Sequence, residues 1–209
     1  MSLDEIGKQQ GTDKSSNYHD YLRYYEKFID IQPKHILEIG ILDGSSLRMW
    51  REHFKCLVYG VDIAPTCKQH QARGIRVRIG SQDDEEFLTS VCDEILPAQF
   101  DLIIDDASHM AKATTETFRI LFPWLAPGGI YICEDTCCSY WEEFVDCQFT
   151  PIRMFKRMVD NVNLHGMRDH GLERGFSFLE ERDPEKAKAY LYEYMVFINS
   201  AVIIKKRGR

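Results

Sequence analysis

Short apolar runs rich in Ile and Val alternate along the chain with longer stretches whose apolar residues recur every three or four positions, as strands and helices laid down in turn would. Five runs read as strands: Ile36–Ile39, Leu57–Val61, Ile75–Ile79, Phe100–Ile104 and Gly129–Cys133. Each is nearly continuously apolar, as a parallel strand covered on both faces must be. The helical period predicts helices over Ser45–Phe54, Asp84–Ile95, Ala111–Leu125 and Pro151–Leu164, the third stopped by Pro127 and two glycines. Ahead of the first strand, Tyr18–Ile29 has the same period, so residues 1–32 form a helical cap segment. Near the end, Tyr194–Ile198 and Ala201–Lys205 are separated only by Asn199 and Ser200, a turn-forming pair that predicts a β-hairpin. The order implies an α/β fold with a doubly wound, Rossmann-like sheet, mostly parallel and finished by a C-terminal antiparallel hairpin. With no repeat, linker or low-complexity tract, residues 1–209 read as a single domain.

Charge and composition narrow the partners. A net charge of -7 argues against a nucleic-acid partner, which requires a basic face, and the tail Lys205–Arg209 is too short to change this. No apolar run approaches the roughly 18 residues of a membrane span, and the amino terminus is acidic and polar where a signal segment would be basic and then apolar. The expected location is the cytoplasm. The cysteines, at Cys56, Cys67, Cys92, Cys133, Cys137, Cys138 and Cys147, have no CxxC spacing and read as reduced thiols. A homo-oligomer is compatible with the sequence.

Candidate chemistry begins where the first strand runs through Glu38, Ile39, Gly40, Ile41, Leu42, Asp43 and Gly44 into Ser45 and Ser46. Such a strand, glycine loop and helix start can hold a nucleotide-like ligand: Gly40 allows close approach, Gly44 relieves the turn, and Ser45 or Ser46 caps the helix. Asp62, followed by Ile63, ends the second strand where an acid should meet ribose hydroxyls, although a helix cap explains it as well. Ser81, Gln82 and Asp83 follow the third strand and place an adenine nearby; a solvated loop accounts for the same letters. Asp105 and Asp106 with His109 end the fourth strand, and Glu134 with Asp135 ends the fifth. Four carboxylates massed at one sheet edge repel unless a cation sits among them, and an all-oxygen set suits a hard ion such as Mg²⁺. Acids that merely cap helices are the competing explanation.

These residues carry a resemblance. Gly11-Thr12-Asp13-Lys14, the stretch ILEIGILDGSSLRMW from Ile36 to Trp50, the motif IIDDASH, and FPWLAPGGIYICEDTCCSYW up to Trp141 resemble the metal-dependent sugar O-methyltransferases of macrolide and related antibiotic pathways. They are also similar to proteins called cephalosporin hydroxylases. The resemblance implies a class I S-adenosylmethionine-dependent methyltransferase, with Asp106, Glu134 and Asp135 on Mg²⁺ or Mn²⁺ and His109 as general base. It sets Gly40, Ser45, Asp62, Gln82 and Asp105 around the cofactor, and leaves open which of Asp105 and Asp106 faces the metal. Family members read DDGSHxxxH; here Ala107 replaces the glycine and Ala113 the second histidine, which puts the acceptor's identity in question. With little before Gly11, the amino-terminal domain of some macrolide enzymes is expected to be absent.

The chemistry is coherent with a small-molecule acceptor, a sugar or glycoside. Its hydroxyl is a poor nucleophile until metal coordination lowers its pKa and an imidazole takes the proton. Tyr140, Trp141, Phe144 and Phe149, and beyond them His165 and His170, could face a sugar ring or simply pack. A catechol-type O-methyltransferase, a nicotinamide-dependent oxidoreductase and a non-catalytic cofactor-binding module remain as alternatives. The oxidoreductase would favour GxGxxG over the GxxxG found here.

Overall fold

The computed structural model describes residues 1–162 and 191–208. His165, His170, Arg209 and positions 163–164 of the fourth expected helix lie outside them. The strands are β1 (His35–Ile39), β2 (Leu57–Asp62), β3 (Ile75–Ile79), β4 (Phe100–Asp105), β5 (Leu125–Cys133), β6 (Tyr192–Ile198) and β7 (Ala201–Lys206). They form one sheet in the order β3-β2-β1-β4-β5-β7-β6. The first five are parallel, and β7 runs antiparallel to both its neighbours. Ser200, in the tight turn of the β6–β7 hairpin, has a φ of +59°. The doubly wound sheet and its closing hairpin are thus as the hydrophobic pattern requires.

Both faces of the sheet are covered, and residues two apart along a strand share a side. Leu37, Ile39, Ile103 and Tyr131 pack with Leu88 and Val91 of α4 (Glu85–Asp93), Phe118 and Leu121 of α5 (Ala111–Leu121), and Phe155 of α6 (Pro151–Val162). Ile36, Ile104, Ile130 and Ile132 pack on the other side with Leu3 and Ile6 of α1 (Leu3–Gln10), Leu22 and Tyr25 of α2 (Leu22–Phe28), and Leu47 and Trp50 of α3 (Ser45–Phe54). Each fully buried aliphatic or Phe side chain contributes about 1.5–3 kcal/mol, so the two cores hold the strand ends rigidly in register.

Several boundaries differ from expectation. Helix α1 is opened by a reciprocal capping box: the Ser2 side chain accepts from the Glu5 amide, and the Glu5 carboxylate accepts from the Ser2 amide. The Ser-x-x-Glu signature was present in the sequence and unused. The Tyr18–Ile29 period shrinks to Leu22–Phe28, because Asp20 takes a φ of +57° and the Tyr21 and Leu22 amides donate back to the Lys14 carbonyl. Helix α5 stops at Leu121, ahead of a short turn at Phe122–Trp124, and Pro127 with its glycines lies inside β5 instead of ending the helix. The basic tail is partly built into the sheet: Lys205 pairs with Asp30, and the Lys206 ammonium donates to the carbonyls of Phe122, Pro123 and Leu125 at 3.0, 2.9 and 2.6 Å. All seven cysteines are free. Among the described residues, no helix is long and apolar enough to cross a membrane.

Candidate active site

Strand β1 lies between β2 and β4, so chain order reverses there, and open α/β sheets bind ligands beyond the strand ends at that point. A cavity of about 670 Å³ occupies the place. That is ample for a nucleotide-sized ligand. Of the expected cofactor residues, Gly40, Ser45, Asp62, Ile63, Ser81, Gln82 and Asp83 line it, while Glu38, Gly44 and Asp105 do not. Glu38 is turned into the core, where it accepts from the Trp50 indole at 3.1 Å and pairs with Lys14 at 3.4 Å. Asp105 is buried beneath the wall and accepts from the Tyr131 hydroxyl at 3.2 Å.

The loop chemistry differs in detail from the expectation. Gly40 has a φ of +83°, and an added Cβ would lie 2.1 Å from the Asp106 carbonyl oxygen, so the glycine serves the close approach of two strand ends as much as that of a ligand. The amide of Ser45, first residue of α3, is capped by the Asp43 carboxylate at 2.9 Å, and the Ser45 hydroxyl donates to the same oxygen at 2.6 Å; the serines do not cap the helix themselves. Asp62 accepts from the amides of Ile41, Leu42 and Ala64 at 3.0, 3.3 and 2.8 Å. Burial alone would raise its pKa, but these bonds outweigh it and hold the carboxyl below its ordinary range. A carboxylate offers roughly four acceptor positions. The three amides and the Cys67 thiol together occupy them, so Asp62 first of all ties the loop after β1 to the end of β2. Gln82 is a strut: its carbonyl accepts from the Ser108 amide at 2.8 Å, and its amide donates to the Thr117 hydroxyl at 3.0 Å. Leu42 and Ile63 are 82% and 73% exposed on the cavity lining, apolar surface of the kind a purine ring covers.

Asp106, and not Asp105, faces the cavity. One ligand atom from each of Asp106, His109 and Asp135 lies within 4.8 Å of the others. The His109 Nε2 is 3.5 Å from the Asp135 carboxylate. Asp135 also accepts from the Tyr21 hydroxyl at 2.8 Å. His109 and Asp135 have φ values of +58° and +49°. Non-glycine residues in this left-handed region cost of order 1–3 kcal/mol, which the surrounding packing must offset. Glu134 is drawn elsewhere: its Oε2 accepts from Lys14 at 2.9 Å, and its Oε1 is buried without a hydrogen-bond partner.

Lys14 was assigned no role from the sequence. Its ammonium is buried, contacts Asp106, Glu134 and Glu38, and stays charged, since these carboxylates overcome the effect of burial and push its pKa well up. Burial raises Asp105 to about 8 and, against the pull of Lys14, Glu38 to about 7. Burial likewise raises Asp106, and pushes Glu134 well up, in each case against the pull of Lys14, so the acids around this lysine hold on to protons more readily than free carboxylates do. Asp106, His109 and Asp135 turn two carboxylates and an imidazole toward one point of the cavity, and the unpartnered Glu134 oxygen lies buried behind them, off the cavity lining. The residues therefore fit a hard metal ion.

The chain is similar to known methyltransferases. A family model described as a methyltransferase domain matches residues 37–136. The chain is 35% identical over 179 residues to L-olivosyl-oleandolide 3-O-methyltransferase of Streptomyces antibioticus, covering 77% of this chain and 46% of that one. It is 33% identical over 177 residues to mycinamicin VI 2''-O-methyltransferase of Micromonospora griseorubida, covering 77% and 44%. It thus spans about half the length of the curated relatives it matches. Among solved structures, the MycE methyltransferase of the mycinamycin pathway, in complex with Mg, SAH and mycinamycin VI, superposes with a TM-score of 0.82 at 26% identity, over 100% of this chain and 54% of that one.

Proposed function

We propose, from the match of residues 37–136 to a methyltransferase-domain model and the likeness to antibiotic-pathway sugar O-methyltransferases, that the chain transfers a methyl group from S-adenosylmethionine to a hydroxyl of a sugar or glycosylated small molecule. The observation that carries the reading is the convergence of Asp106, His109 and Asp135 in the same cavity as the Gly40–Ser45 loop and Asp62. The cofactor would lie along that loop, with Asp62 toward its ribose and Ile63 and Leu42 against its purine. Asp106, Asp135 and Glu134 would hold Mg²⁺ or Mn²⁺. Its contribution when bound is Lewis acidity, which lowers the pKa of a hydroxyl and fixes its direction. The presence of Mg and SAH in the MycE complex supports both assignments.

The remaining work belongs to the chain's own groups. As the acceptor oxygen takes the methyl group, the sulfur keeps the electron pair of the broken S–C bond and leaves as the thioether, while the acceptor's proton passes to His109 Nε2, which lies 3.5 Å from the Asp135 carboxylate. Tyr21 fixes Asp135 from the far side by donating to its other oxygen. Phe144 lies 6.3 Å from the His109 ring and Trp141 5.9 Å from Phe144, an aromatic wall suited to the apolar face of a sugar. The setting this implies is cytoplasmic biosynthesis.

Methyl transfer from labelled S-adenosylmethionine to a panel of deoxyhexosides tests the proposal. Chelation should abolish product, and Mg²⁺ or Mn²⁺ should restore it. Ca²⁺, larger and content with longer bonds, should bind without restoring the rate. Turnover that survives exhaustive chelation would leave the carboxylates a purely structural role.

A further inference from the structure

We infer that the ammonium of Lys14 is a built-in cation of the acidic centre, which holds Asp106 and Glu134 together and competes for them with the divalent ion. The inference rests on the metal-assisted reading above. Strands β1, β4 and β5 each deliver an acid toward this lysine: Glu38 from within β1, Asp106 just after β4 and Glu134 just after β5. The ammonium touches all three and is their shared partner. The lysine's own backbone is anchored, since its carbonyl accepts from the Tyr21 and Leu22 amides at 2.9 and 3.2 Å.

Two features point to competition. Glu134 lies outside the Asp106–His109–Asp135 group, its Oε2 taken by Lys14 and its Oε1 left buried and unpartnered. Asp106 belongs to both sets, giving one oxygen to Lys14 while also facing His109 and Asp135. A divalent ion that uses Asp106 and Glu134 therefore meets a positive charge a few ångströms away, and like charges at that range repel strongly in a dry interior. The ammonium sets how tightly the ion is held. A lysine that merely pinned the amino-terminal segment would lack this effect.

The test compares wild type, Lys14→Met and Lys14→Arg, with Mn²⁺ as the probe, by the electron-spin signal of the free ion and by unfolding temperature. Lys14→Met should bind Mn²⁺ at least about tenfold more tightly than wild type and show the larger Mn²⁺-dependent rise, and Lys14→Arg, which keeps the charge, should show neither gain. Equal or weaker binding by Lys14→Met overturns the inference. If wild type binds no Mn²⁺, the metal-assisted reading falls and the inference with it, whereas Mn²⁺ bound equally by wild type and Lys14→Met overturns the inference alone. Should the variant fail to fold, wild type with ¹³C at the lysine ε-carbons decides: saturating Mg²⁺ must shift the Lys14 resonance, and an unmoved resonance contradicts the proposal.

Discussion

His109 and Asp135 stand in the left-handed region that side chains avoid, and the two are in contact through a 3.5 Å approach of imidazole and carboxylate. Strain at two facing residues in one cavity is most economically explained by a geometric demand of the chemistry. Replacing His109 with Ala should slow methyl transfer by roughly 10²–10⁴-fold while leaving affinity for S-adenosylhomocysteine nearly unchanged. A variant with full turnover would show that another group takes the proton. Glu38 supports a second prediction, about pH. Burial raises its pKa in the folded chain to about 7, so the folded state binds more protons than the unfolded one below that value. The stabilisation is complete below the unfolded carboxylate pKa and is lost as pH rises through about 7. Without metal, the melting temperature should therefore fall between about pH 5 and 8, and Glu38→Gln, which can still accept from Trp50, should flatten that fall. A wild-type profile rising over the same window contradicts the assignment. The carboxylates and His109 were legible in the sequence because each sits beside a strand end. Lys14 was not, because its partners lie 92 and 120 positions away and only the folded sheet brings them together.

The junction of β1, its loop and α3 determines whether the cavity exists. Gly40 combines a φ of +83° with a neighbour 2.1 Å from its absent Cβ, whereas Gly128 has a φ of +77° and nothing within 4 Å. Gly128→Ala should cost only the left-handed penalty, about 1–2 kcal/mol. Gly40→Ala must in addition push apart the ends of β1 and β4, so it should cost at least about 2 kcal/mol more by urea unfolding, and should weaken cofactor binding. Equal losses would show that the two strand ends can separate freely. At this scale the hydrophobic period located every strand among the described residues, because burial on both faces leaves little else a run such as Ile36–Ile39 can do. Boundaries were less legible. The Ala111–Leu125 period continues past Leu121 because Phe122 and Leu125 are also buried, and periodicity cannot separate a helix end from the strand that follows it directly.

Across the molecule, the strand order puts the loop after β1 and the acids after β4 and β5 on one edge, so that a cofactor and a metal would share a single cavity. The sequence disclosed the edge, since chain order and hydrophobicity specify which strand ends are neighbours. It did not disclose the layering of acids there, in which Glu38 and Asp105 turn inward and Asp106 and Asp135 face the cavity. Which carboxylate is desolvated depends on packing by Trp50, Tyr131 and Lys14, all distant in the chain. The central claim is that the cavity is built for S-adenosylmethionine, and calorimetric titration with S-adenosylhomocysteine tests it most directly. Micromolar binding is expected, weakened by about 1.5–3 kcal/mol in Asp62→Ala through loss of a charged hydrogen-bond acceptor. Absence of any binding heat from the wild-type chain at millimolar ligand would contradict the account.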